Sequence, residues 1–327
     1  MLASLRSAAQ AADAAVGRDV QQMMKFRDSL IISGAVIGYS IAVKFWPGGY
    51  DALKFYFKQP FPETTAPGWV YLFTYPFAWL KWPLSWQVLV GCSVLLVGLT
   101  GMLYGNRRWW GVLISIPFVW NVWLGQIEIV PTMGFFLTIL IITGKIRPLW
   151  FGISWLTLLA KPQTGFGVLV VQFFWWSEHY REQAKELMYA GGLFASVVIV
   201  SILLWPGWVA DWLSTIREFH PTWWNASIWP YGLVAWPISI YIARDVNYLG
   251  KMRIFSAASL LGSPYFALYH CTALMTLTDS LFAVVLSWLI VFIGSGVPSQ
   301  WMMWGWLLPA WILLMDVIDF VSRPTPR

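Results

Sequence analysis

Along this chain, apolar stretches of two lengths alternate with short polar breaks. The first two long enough to cross a membrane alone are about Ser29 to Trp46 and about Leu84 to Tyr104, since roughly 20 apolar residues span a bilayer. Between them, "PGGYDALKFYFKQPFPETTAPG" (47–68) reads as a turn-rich loop. The following "WVYLFTYPFAWLKWP" is broken by Pro76 and Lys81 and reads as an interfacial or re-entrant segment.

The shorter stretches come in pairs. The apolar residues between "GNRRWW" (105–110) and "GKIRP" (144–148) are interrupted near their middle by "GQIE", residues 125–128. Those from Pro148 to Ser177 are interrupted by "KPQT", with the polar "SEHYREQAKEL" (177–187) after them. Each half has about 12 to 18 residues, short for a helix that crosses. Each pair is either one long kinked span or two short helices joined by a polar turn. The turn is favoured, because Pro162 disfavours helix at Lys161 and lacks an N–H donor. Non-helical backbone at membrane depth persists only inside protein or along a wet cavity, so the breaks imply a cavity. Further spans are expected at about 190–205, 233–243, 280–296 and 301–320, with a third break at "SPYFALYH" (263–270) and a polar loop at 206–232.

Composition turns this pattern into a class. Charged residues make up 11% of the 327 and hydrophobic residues 58%, with a mean hydropathy of +0.62. A soluble domain carries about 25% charged residues, so this chain lacks the polar surface to face water. The expected fold is an all-α polytopic transmembrane helical bundle of about nine to twelve segments. It forms one domain over 29–320, with outer loops at 47–83 and 206–232, a cytoplasmic amphipathic or loose lead-in at 1–28 and a tail at 321–327. The formal charge of +6 is read as an orientation signal, with no nucleic-acid partner. Trp109, Trp110, Trp175, Trp176 and Trp301 sit at segment ends, where an interfacial belt would place them. Cys92 and Cys271 lie in apolar spans as small hydrophobes without metal-ligand spacing.

Basic residues set the expected orientation. With the N-terminal Arg and Lys residues inside and both breaks acting as turns, the "NRR" and "KIR" segments also lie inside. Asp51, Gln126, Glu128 and Lys161 then share the outer side. The two arginines of "SRPTPR" favour a turn at "SPY" and an inside tail. An ionisable group in lipid costs roughly 3 kcal/mol, so Asp51, Glu128, Lys161 and His270 each need a reason. A lysine near a helix end ordinarily snorkels, and His270 ordinarily is a satisfied core histidine. Convergence of several such groups on one face points instead to a cavity that binds an anionic headgroup beside a polar acceptor. No GxGxxG, Walker loop, HExxH or CxxC is present, and no cofactor is expected.

Six pieces in this order, spanning about 48 to 275, resemble the GT-C membrane glycosyltransferases, and among them glycosyltransferase family 87, the polyprenol-phosphate-mannose-dependent mannosyltransferases. They are "YDALKFYF", "LFTYPFAWLKWPL", "WLGQIE", "LLAKPQTG", "DWL…NASIWPYG" and "LGSPYFALYH". The resemblance implies a GT-C-like fold in a bacterial plasma membrane and a polyprenyl-phosphate sugar, a mannose-like hexose, as donor. It implies that Asp51 is the general base toward an extracytoplasmic acceptor and that Lys161 pairs with the lipid phosphate. Gln126, Glu128, Gln163, Asn225 and Ser227 would contact the substrate, with His270 as a further contact. Tyr50, Tyr56, Trp208, Trp223 and Trp224 would offer aromatic faces to the sugar. The chain departs from the family pattern in three places: Glu128 stands where a neutral polar residue is usual, "YPF" replaces "YPP", and the first outer loop holds a single Asp. Two other readings stand beside the enzyme: a catalytically degenerate subunit of a larger membrane complex, and a lipid or small-molecule transporter.

Overall fold

A computed structural model describes residues 26–57, 66–218, 225–294 and 301–323. Most of the 1–28 lead-in, the end of the tail, and Trp223 and Trp224 lie outside the described residues, as does the side chain of Trp301. The described residues are mostly helical, with no strand. Among the described residues, four helices are long and apolar enough to cross a membrane: α1 (Phe26–Phe45), α3 (Leu84–Tyr104), α8 (Pro162–Leu204) and the run Met303–Val321 that contains α14 (Leu307–Val321). Between α1 and α3, the chain makes a five-residue π-helical turn, Ala52–Tyr56, and the short α2 (Gly68–Ala78). The interfacial reading of that region thus becomes an 11-residue helix, about 16 Å long.

Both polar breaks are turns. α5 (Ile116–Leu124) ends at Gly125, whose φ of +73° is the left-handed conformation that glycine adopts without a Cβ penalty. The Gln126 N–H then donates to Asn121 O at 2.9 Å, and the chain returns as α6 (Ile129–Ile142). α7 (Phe151–Leu159) and α8 meet at Lys161, with Pro162 at the first helical position, where its missing N–H costs nothing.

The 43-residue run of α8 cannot be straight. Near its start, a Cβ on Gly165 would meet the Leu158 backbone, and further along one on Gly152 would meet the Ala190 carbonyl. Gly152 and Leu158 lie six residues apart, about 9 Å along α7, whereas Gly165 and Ala190 would be separated by about 38 Å on a straight helix. The run therefore doubles back. The reversal falls between Trp175, whose ring meets Phe151 at 5.4 Å, and Ala190, and this stretch carries "SEHYREQAKEL". The expected span at 190–205 is thus the returning arm of a bent helix. Arg147 reaches Glu186 in the bend at 2.5 Å.

Close approach and buried hydrogen bonds hold the centre. A Cβ on Gly167 of α8 would lie 2.1 Å from the Phe255 carbonyl of α11 (Tyr248–Leu261), so only glycine lets these backbones meet. Gln172 of α8 donates to Thr138 of α6 at 2.5 Å and to Ser154 of α7 at 2.7 Å. Trp109 and Trp175 prove to be core residues, 1% and 8% exposed, in place of the expected belt positions; Trp110 and Trp176 remain partly exposed. Trp109 packs over Gly98 and Gly101 of α3, where the missing side chains leave room for an indole.

The third break is also a turn. α11 begins beside the α8 bend, where the Tyr248 hydroxyl donates to Glu178, and ends where the Ser259 hydroxyl donates to Gln163 O at 3.0 Å. After the 262–270 segment, α12 (Cys271–Met275) leads back to the opposite end, where Asn106, beyond the C-terminus of α3, donates to Thr278 O at 2.7 Å. α13 (Leu281–Gly294) and α14 complete an outgoing and a returning pass, so α14 ends on the side where α1 begins. Arg253 of α11 clamps α14 there through Asp316, with Nε 3.1 Å from each carboxylate oxygen. Asp316 is 6% exposed, and removing one partner strands a buried charge. Because the Arg253 side chain is 27% exposed, R253M is expected to lower unfolding free energy by about 3 kcal/mol, the low end for such a loss. The double variant R253M/D316L should recover most of it in detergent unfolding.

Candidate active site

Three chain segments, distant in sequence, deliver one connected polar cluster. Asp51 sits just past α1, Gln126 and Glu128 in the α5–α6 turn, and Lys161 in the α7–α8 turn. The Gln126 amide bridges the other two segments: its Nε2 donates to Asp51 Oδ2, and its Oε1 accepts from Lys161 Nζ at 3.0 Å. Gly125 permits this, since it packs against Ala52 and Gly49, where a Cβ would lie 2.8 Å from the Ala52 side chain. A second donor of Lys161 reaches Glu128 Oε1 at 2.5 Å.

Beneath this layer lies His270. Its Nδ1 accepts the Ala267 backbone N–H at 2.8 Å, so the neutral ring carries its proton on Nε2. That nitrogen is 3.1 Å from the Gln163 amide and 3.6 Å from Glu128 Oε1. Two N–H groups cannot bond each other, so the amide is assigned with its oxygen, in place of its nitrogen, toward the ring. Glu128 is fully buried and His270 is 1% exposed, whereas Asp51, Gln126 and Gln163 are only partly covered. Lys161, 8% exposed, lies between the partly covered groups and the buried ones.

Asp51 stands outside the membrane-spanning segments. Burial pushes its carboxyl above the ordinary carboxylate value, while the Gln126 hydrogen bond and then the Lys161 and Lys54 charges pull the other way. A carboxylate shifted upward is a stronger proton acceptor at neutral pH.

The remaining candidates fall around the cluster. Tyr56 is buried and close enough to influence Tyr269, while Tyr50 is 62% exposed and lies beside Lys54. Asn225 and Ser227 spend their polar atoms on a neighbouring turn: Asn225 Oδ1 accepts from Phe266 N at 3.2 Å, and the Ser227 hydroxyl donates to Ser263 O at 2.5 Å. They thereby fasten the segment that carries His270. Trp208 is buried edge-on against Trp69 at 5.3 Å. Two residues escaped the sequence reading. Lys161 Nζ lies 4.9 Å over the Tyr269 ring, and Tyr269 shares a side-chain hydrogen bond with Tyr265. The signal available was tyrosine, in place of phenylalanine, twice within the polar break "SPYFALYH".

Apolar cavities among the described residues lie elsewhere. One of about 620 Å³ fills the crook of α8 beside Trp155 and Trp176, and one of about 750 Å³ runs between α10 (Ala235–Ile242) and α14. The polar cluster closes on its own hydrogen bonds, so the groups expected to line a hollow touch one another directly.

The family model of glycosyltransferase family 87 matches residues 66–292, more than half the chain. No curated protein and no solved structure gives a match. The matched region contains Gln126, Glu128, Lys161, Gln163 and His270, and begins at residue 66, past Asp51. A helical membrane bundle whose polar turns converge on an acid and a cation agrees with that assignment: this chain belongs to glycosyltransferase family 87, membrane glycosyltransferases of the GT-C type.

Proposed function

We propose that the protein transfers a mannose-like hexose from a polyprenyl-phosphate donor to an acceptor at the extracytoplasmic face of a bacterial plasma membrane. The observation that carries this reading is the Gln126 amide holding the Asp51 carboxylate and the Lys161 ammonium in one chain of hydrogen bonds. Asp51 takes the proton from the acceptor hydroxyl as that oxygen attacks the anomeric carbon. The bond from that carbon to the phosphate oxygen breaks, and Lys161 stabilises the charge left on the departing lipid phosphate. Gln126 keeps the two groups at a fixed separation. Gln163 and His270 back the site, and Asn225 and Ser227 hold the His270 segment in place.

Charge distribution supports the orientation. The end opposite the cluster carries Arg107, Arg108, Lys145, Arg147, Arg181 and Lys185, and basic loops stay in the cytoplasm. The acceptor side is then extracytoplasmic, and both α1 and α14 have their opposite ends inside.

The test is transfer itself. Purified protein in vesicles, given a labelled short-chain polyprenyl phosphohexose and membrane glycolipid acceptors, should release polyprenyl phosphate and label an acceptor. No turnover with any hexose donor contradicts the reading. A pH profile sharpens it. Asp51 must be ionised to accept a proton, and its value is raised. kcat/KM should therefore fall about tenfold per pH unit on the acid side, beginning above the ordinary carboxylate range. A profile flat down to that range would remove Asp51 from the role.

A further inference from the structure

We propose that Glu128 takes up one proton when the donor's phosphate engages Lys161, making donor binding a proton-coupled event. This rests on the reading that Lys161 receives the phosphate. Glu128 is fully buried; one carboxylate oxygen is held by Lys161 at 2.5 Å, and the other has no hydrogen-bond partner. Before the donor arrives, the ammonium and this carboxylate form a neutral pair. The donor is a phosphodiester carrying one negative charge that does not titrate near neutral pH. Its arrival places two anions on one ammonium inside a buried site, and an uncompensated buried charge is strongly unfavourable.

The groups around Glu128 leave it as the place for the compensating proton. His270 faces it at 3.6 Å but cannot charge without breaking the bond its Nδ1 accepts from Ala267. Tyr269 and Cys271, close enough to feel the Glu128 charge, are neutral acids that have no proton to gain. Asp51 lies across Gln126, partly exposed and already hydrogen-bonded by that amide. Lys161 spends two of its donors on Gln126 and Glu128, which leaves the third for a phosphate oxygen. The free Oε2 of Glu128 accepts the proton, and the site returns to the charge it had before binding. A neutral amide at 128 would present the phosphate with an unopposed lysine.

Calorimetric titration of the full chain in nanodiscs with a short-chain polyprenyl phosphohexose, without acceptor, tests this. Runs near pH 7 in buffers of different ionisation enthalpy give the number of protons exchanged. The expected result is uptake of about one proton, with Kd weakening about tenfold per pH unit above neutrality. E128Q should bind more tightly, with no proton exchange and no pH dependence, while D51N keeps the uptake. Binding by the unmodified protein without proton uptake overturns the inference and leaves the site reading intact. Undiminished uptake in E128Q also overturns it. Absence of donor binding by the unmodified protein removes the site reading, and the inference with it. The unmodified protein's proton count decides the matter even where E128Q fails to fold.

Discussion

Replacing Asp51 with asparagine is expected to lower kcat for hexose transfer by about 10²–10⁴-fold, the usual contribution of a positioned general base. That corresponds to about 3–5 kcal/mol of barrier at roughly 1.4 kcal/mol per decade. Asparagine has nearly the same shape, and its amide oxygen can still accept from Gln126, so the bridge to Lys161 persists. KM for the donor should move little, because the substitution removes proton acceptance and leaves the phosphate contact in place. Undiminished turnover would rule out Asp51 as the base.

The second large effect is at Lys161. K161M removes the cation facing the departing phosphate and is expected to lower kcat/KM by about 10²–10³-fold. It also strands Glu128, a fully buried carboxylate whose one hydrogen-bonding oxygen points at Lys161. Removing one partner of such a pair costs about 3–5 kcal/mol of stability. Lost activity in K161M alone therefore mixes two causes. The double variant K161M/E128Q separates them: it should regain most of the thermal stability in detergent and none of the turnover. A double variant that transfers sugar normally would show that the lysine serves only to neutralise its neighbour.

Much of the framework was legible in the sequence, for local reasons. α3 runs from Leu84 to Tyr104, the bounds its apolar stretch suggested, because Pro83 and Gly105 punctuate it. The turns at 125–128 and 160–163 were readable because Gly125 and Pro162 have few other uses inside apolar runs. The clustering of Asp51, Gln126, Glu128 and Lys161 on one side followed from counting passes between basic loops.

What escaped depends on partners far along the chain. Trp109 and Trp110 are neighbours with the same chemistry, yet only Trp109 meets the glycines of α3 and enters the core. Nothing near Gln126 announces that its two ends would reach residues 75 positions before and 35 after it. Asn225 and Ser227 look alike whether they meet a sugar or a backbone turn, and here they hold the turn at 263–266. The reversal of α8 is hidden because "SEHYREQAKEL" is rich in good helix formers, from Arg181 onward without exception, so helical pattern continues through a change of direction.

The claim on which the rest depends is that Asp51 and Lys161 serve one bound donor. A cryo-electron microscopy map of the protein with a polyprenyl phosphohexose bound measures this directly. The expected result is a phosphate oxygen at hydrogen-bond distance from Lys161 Nζ, about 2.7–3.2 Å, with the anomeric carbon of the same molecule on the side that faces Asp51. A phosphate seated away from Lys161, or a hexose on the far side of Gln126 from the Asp51 carboxylate, would contradict it.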